Sequence, residues 1–104
     1  MTATQCEFME NGYHGVSCNG ANTNARLNDC TMHHNEADGL FSNDGAVVDL
    51  HGTKTDIHSN KECGIYAADG GRVNIHLSAQ QNTTHNNNGH DRFEGWGSFI
   101  EMVP

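Results

Sequence analysis

Glycine recurs in this chain at a nearly fixed interval. Gly15, Gly39, Gly64 and Gly89 lie 24, 25 and 25 residues apart, and Gly20, Gly45, Gly70 and Gly95 lie 25 apart each time. Such a period marks a solenoid, in which one unit cannot bury its apolar face alone and stacks on the next. Other positions align around the glycines. Asn11, Asn35, Asn60 and His85 precede the first set; Phe8, Met32, Ile57 and Asn82 lie upstream, and Cys6, Cys30, Thr55 and Gln80 before those. Val16, Leu40, Ile65 and His90 follow the first set. After the second come Thr23, Val48, Val73 and Ser98, then Ala25, Leu50, Ile75 and Ile100, and then Leu27, Gly52, Leu77 and Met102.

Within each copy the apolar residues alternate: Cys30 with Met32, Val48 with Leu50, Val73 with Ile75. A period of two is a strand pattern, and no stretch sustains the helical period. Glycine and asparagine cut the chain into short pieces, and only 35% of the residues are hydrophobic, too few for a thick globular core. The expectation is an all-β single domain over 1–104, built as about four coils of three short strands near 2–26, 27–51, 52–76 and 77–104. Neighbouring coils lie about 4.8 Å apart. Gln80, Asn82, His85 and His90 put polar groups where earlier copies are mostly apolar, so the last coil is degenerate: a cap, or a coil that leaves the register after Leu77. The segment "RFEGWGSFIEM", 92–102, is aromatic enough to cover the open end or dock on a neighbour.

The pattern Cys-x-(Phe/Met)-x-x-Asn-x-x-x-Gly-(Val/Leu) at 6–16 and 30–40 resembles the repeat of right-handed parallel β-helix proteins. That pectate-lyase-like superfamily includes polysaccharide lyases, alginate epimerases, phage tailspikes and non-catalytic modules. The resemblance implies a right-handed parallel β-helix solenoid with an asparagine ladder through Asn11, Asn35 and Asn60, and glycine corners free to take positive φ. For an enzyme it implies an Arg or Lys base beside carboxylate-bound Ca²⁺ on one outer sheet face.

The outward positions supply the candidate chemistry. Asp44, Asp69 and Glu94 fall in register before Gly45, Gly70 and Gly95, with Asn19 in the first copy, a column able to hold Ca²⁺ between stacked carboxylates. The competing reading is ordinary Asp-Gly turn chemistry. His33 and His58 stack below Met9, and His51 stacks with His76; each pair is a solvated polar column, a transition-metal site or a proton-sensitive patch. Trp96 joins these as a binding-surface candidate. His90, Asp91 and Arg92 are the acid–base candidates, in the worst-matching coil and outside any full motif. The other basic residues, Arg26, Lys54, Lys61 and Arg72, do not share the acidic column; Lys54 stacks over Asp29 as a surface pair. Four coils make a groove of only about 19 Å.

Thirteen acidic against five basic residues give a formal net charge of −8, which excludes nucleic acid as a partner. Protonating eight His brings −8 + 8 toward zero, so solubility is expected to fall as the histidines charge near pH 5 to 6. No long apolar run is present, so no membrane span is expected, and "MTATQCEFMENGYHG" carries no signal-peptide pattern. Four Cys in a chain without a signal read as reduced thiols, with a Cys6–Cys30 disulfide the alternative where the geometry allows it, and the lack of a CxxC pair argues against a cysteine zinc site; Cys18 falls in a column with Ser42 and Ala67, and Cys63 faces outward. Asn82-Thr83-Thr84 is a formal glycosylation sequon. The function expected is a non-catalytic scaffold or interaction module facing a polysaccharide or protein partner, with no required cofactor, and an excised piece of a longer chain is one form it takes. The alternatives are the truncated core of a polysaccharide lyase or uronan epimerase, and a self-assembling segment associating end to end or side by side.

Overall fold

The computed structural model describes residues 1–80 and 84–104; the sequon asparagine and the Asn82 column position lie outside them. The strands are β1 Thr2–Thr4, β2 Glu7–Met9, β3 Val16–Asn19, β4 Asn24–Asn28, β5 Thr31–His33, β6 Leu40–Asn43, β7 Val47–His51, β8 Asp56–His58, β9 Ile65–Ala68, β10 Arg72–His76, β11 Thr84–His85, β12 Arg92–Glu94 and β13 Phe99–Val103, with a 3₁₀ turn at Leu77–Ala79. They form three sheets, ordered β1-β4-β7-β10-β13, β2-β5-β8-β11 and β3-β6-β9-β12. Every pairing is parallel. The chain visits the sheets in rotation, so each circuit is one coil of a three-sided solenoid.

The alternation read from sequence decides what faces in. Met32, Leu40, Val48, Leu50, Ile57, Ile65, Val73 and Ile75 are fully buried, while their strand neighbours face outward. Like stacks on like along the axis: Phe8–Met32–Ile57, Val16–Leu40–Ile65, and Cys18–Ser42–Ala67 as expected. Cys63 is buried rather than outward.

Coil length is not constant. Between the second and third sheets the connection is six residues in every coil (10–15, 34–39, 59–64, 86–91). Between the first and second it grows from two residues (5–6, 29–30) to four (52–55) and then seven (77–83). The spacing between the last two coils is therefore 27 residues: Ile57 pairs Thr84, Ile65 pairs Arg92, and Val73 pairs Ile100. The uniform 25-residue columns are corrected accordingly. Asn87, not His85, continues the asparagine column, and Ile100, not Ser98, stacks on Val73. In the first coil the step is 23 on the first sheet, so Ala25 pairs Val48 and Leu27 pairs Leu50.

The two glycine sets have different physical causes. Gly45 and Gly70 sit at φ 79° and 80°, a region open to glycine. Gly15, Gly39 and Gly64 have ordinary φ and are glycine for room: a Cβ on Gly39 would lie 2.5 Å from Ile57 Cγ2 and 2.7 Å from Asn60 Nδ2. The ladder packs directly against them. Asn11 Nδ2 donates to Asn35 Oδ1 at 2.9 Å, Asn35 Nδ2 to Asn60 Oδ1 at 2.9 Å, and Asn60 Nδ2 to Asn87 Oδ1 at 2.8 Å. Each acceptor also takes the backbone N–H of the donor residue, at 3.1–3.2 Å. The constant six-residue corner exists to keep this chain of amides in step.

Candidate functional site

The three outer faces differ in chemistry. On the third sheet, Ser17, Phe41, Tyr66 and Phe93 share a column. Phe41 and Tyr66 have ring centroids 5.4 Å apart, and Tyr66 and Phe93 stack at 5.1 Å and 9°. His14 stacks on Phe41 at 4.6 Å, Tyr13 lies on His14 at 4.0 Å, and His90 meets Phe93 edge-on at 5.3 Å. The strip runs the length of the solenoid, and its ends are exposed, Tyr13 by 68% and Phe93 by 42%. Asn43 flanks it, donating through Nδ2 to Asn19 Oδ1 at 2.8 Å, while its own Oδ1 is buried with no partner among the described residues. Sequence reasoning missed this strip. The signal was present, since Phe41 and Tyr66 each follow an inward residue and stand 25 apart.

Beneath the strip, His14 Nδ1 lies 3.2 Å from the buried Asp38 carboxylate. Burial lowers the His14 pKa, with Asp38 acting against it; burial raises that of Asp38, opposed by the hydrogen bond from the Cys63 backbone N–H at 2.9 Å.

The second sheet carries stacked imidazoles. His33 and His58 lie 5.0 Å apart at 7°, and His58 and His85 5.3 Å apart at 15°. His85 therefore joins the column that held two members by sequence, because of the 27-residue step. His34 packs edge-on against both His33 and His58. Carboxylates anchor two of the rings: Glu7 on His33 and Asp56 on His85, each at 2.7 Å. Burial lowers the His58 pKa first; Asp56 opposes this, and His33, His85 and His34 reinforce it.

On the first sheet His51 and His76 stack at 3.9 Å, and Asp49 Oδ1 lies 2.8 Å from His76 Nε2. Burial, His76 and Arg26 lower the His51 pKa, while Asp49 raises it. Nearby, Arg72 lies over the Phe99 ring at 5.2 Å.

Asp44 and Asp69 are exposed, each with positive φ, in Asp-Gly turns closed by Ala46 N–H to Asn43 O and Gly71 N–H to Ala68 O. Two successive positive-φ residues make a type I′ turn, which selects Asp-Gly on its own account. Glu94 leaves their column: it pairs Ala67 and accepts the Ile100 N–H at 2.8 Å. Asn19 leaves it too, pairing Asn43. The position below them is taken by Trp96, 95% exposed in the turn closed by Ser98 N–H to Gly95 O. Asp91 accepts both Asn87 N–H groups, Arg92 Nε donates to Thr84 Oγ1 at 2.9 Å, and His90 is exposed. Asp29 accepts the backbone N–H of Lys54 at 3.1 Å. Among the described residues no helix is long and apolar enough to cross a membrane.

Parallel three-sided coils around an aliphatic core, joined by an asparagine ladder, define a parallel β-helix. The chain belongs to the family described as the right-handed beta helix region, whose model matches residues 1–88. No curated protein and no solved structure matches it.

Proposed function

We propose that this protein is a non-catalytic β-helix module that binds a neutral polysaccharide along the ring strip of the third sheet. The observation that carries the reading is the strip itself: Phe41, Tyr66 and Phe93, one ring from each of three successive coils, spaced 5.1–5.4 Å, close to the length of one pyranose unit. The stacked rings turn their edges outward as an apolar ridge against which sugar C–H groups pack, and sugar hydroxyls find polar partners in the Tyr13 and Tyr66 hydroxyls and the Asn19 amide. The net charge of −8 favours a neutral over an anionic polymer. The non-catalytic part is supported by the structural engagement of Asp91 and Arg92.

Affinity electrophoresis in gels carrying neutral polysaccharides tests the proposal. Retardation of the parent chain, weakened at least fivefold in Tyr66→Ala and Phe93→Ala, is expected, with no new ultraviolet absorbance on uronans. Equal migration in all gels, or retardation untouched by both substitutions, contradicts it. A second reading, self-association through the last coil, is favoured by the exposure of Phe93, Trp96, Phe99 and Met102 there. A mass that rises with concentration in light scattering and falls in Trp96→Ser supports it.

A further inference from the structure

On the first sheet, away from the ring strip, one cluster brings three ligand-type side chains together across two neighbouring strands. Asp49 and His51 are two apart on β7 and face outward together, and β10 lies beside β7 in parallel register, bringing His76 against both. Among the described residues this is the one group of three potential metal ligands whose donor atoms all lie within 4.8 Å of one another. We propose that Asp49, His51 and His76 bind a single divalent transition ion of the Zn²⁺ class, with the remaining coordination position open to solvent.

The donor set selects the metal class. Two imidazole nitrogens and one carboxylate oxygen suit Zn²⁺, Ni²⁺ or Cu²⁺, whereas Ca²⁺ and Mg²⁺ require oxygen shells. Zinc bonds of about 2.0–2.2 Å put tetrahedral ligand atoms roughly 3.4 Å apart. The Asp49–His76 pair, at 2.8 Å, opens by roughly 0.6 Å to admit the ion, and the two stacked rings splay so that the planes of both meet at it. Asn74 supplies the outer support, donating through Nδ2 to Asp49 Oδ1 at 3.1 Å. Arg26, in register with Asp49, opposes the ion's charge, so the affinity is that of an exposed site and not of a closed structural one.

The histidines of the second sheet are the internal control. Their rings are spaced 5.0–5.3 Å apart, and Glu7 and Asp56 occupy different rings, so three donors do not converge there. The test is calorimetric titration of the untagged full chain with ZnCl₂ near pH 7.5, comparing the parent with His76→Ala, Asp49→Asn and His58→Ala, each checked for folding by circular dichroism. One Zn²⁺ per chain is expected, with affinity falling at least about tenfold in His76→Ala and Asp49→Asn and unchanged in His58→Ala. No zinc heat in the parent, equal affinity in all folded variants, or loss confined to His58→Ala each overturns the assignment. Asp49→Asn keeps the hydrogen-bonding shape, so it reads ligation even if His76→Ala does not fold.

Discussion

Asn87 donates both its backbone N–H and its side-chain Nδ2 to one oxygen, Asp91 Oδ1, at 3.1 and 3.0 Å. In the coils below, the same two donors of Asn11, Asn35 and Asn60 go to the amide oxygen of the next asparagine. Asp91, four residues further along the same coil, takes the seat that a fifth asparagine would fill. The ladder thus ends within the chain, and its aligned amides run toward a carboxylate, the strongest acceptor available.

Removing that acceptor strands the Asn87 backbone N–H, while Asn87 Nδ2 keeps the Ile57 and His85 carbonyls at 3.2 Å. Asp91→Ala is expected to cost about 1–3 kcal/mol, and Asp91→Asn, which keeps an oxygen, less. Asn60→Ala, at mid-ladder, strands donors and acceptors in two neighbouring coils and is expected to cost about 2–6 kcal/mol. Urea unfolding measures all three, and an Asp91→Ala protein as stable as the parent denies the ladder its terminus.

The two glycine sets predict opposite sensitivities. Gly39→Ala drives a methyl into Ile57, Asn60 and the Gly64 carbonyl and is expected to prevent folding or cost several kcal/mol, roughly the overpacking penalty. Gly45→Ala meets the Ala21 Cα at 3.3 Å, a tight contact without overlap, and is expected to cost mainly the left-handed backbone penalty, about 1–2 kcal/mol. Gly12→Ala meets nothing within 4 Å and is expected to be neutral. Thermal midpoints in that order support the packing origin of the first set.

Acid is expected to destabilise the fold. His14, His51 and His58 have pKa values lowered from 6.5 by burial, so the unfolded chain binds more protons. Their contribution is fully present above pH 6.5 and is lost as pH falls below it through the folded values. Asp38, raised from 3.8 by burial, acts in the opposite sense and at lower pH. Chemical denaturation at pH 7.5 and 5.5 is expected to show lower stability at 5.5 and a smaller drop in His58→Gln; a flat profile contradicts the neutral state of these rings.

The thiols are expected to separate into two classes. Cys6 is exposed, whereas Cys18, Cys30 and Cys63 are buried with pKa values raised by that burial. A thiol-reactive dye is expected to titrate one group in the native protein and four in denaturant. Four fast thiols without denaturant contradict the core.

The fold was legible because an inward position repeats with the coil: Met32 and Ile57, or Leu40 and Ile65, announce their stacking by spacing and type. Register in the last coil was not, because the corner that lengthens, 77–83, lies apart from the constant ladder corner. Thr84 over Ile57 and Arg92 over Ile65 also give no apolar cue to the shift. That single slip hid His85 from the imidazole stack and Asn87 from the ladder, and put Glu94 in the wrong column. The outward set was harder for a different reason. Asp49 touches His76 across strands and across columns, and neither the period of two nor the period of 25 states which columns are neighbours.

The claim that the ring strip binds neutral polysaccharide is most directly tested by nuclear magnetic resonance titration with a neutral oligosaccharide. Shifts concentrated at Tyr13, Phe41, Asn43, Tyr66 and Phe93, along one sheet face, are expected. No shifts with any neutral oligosaccharide, or shifts centred on Asp44 and Asp69 or on the second-sheet histidines, contradict it.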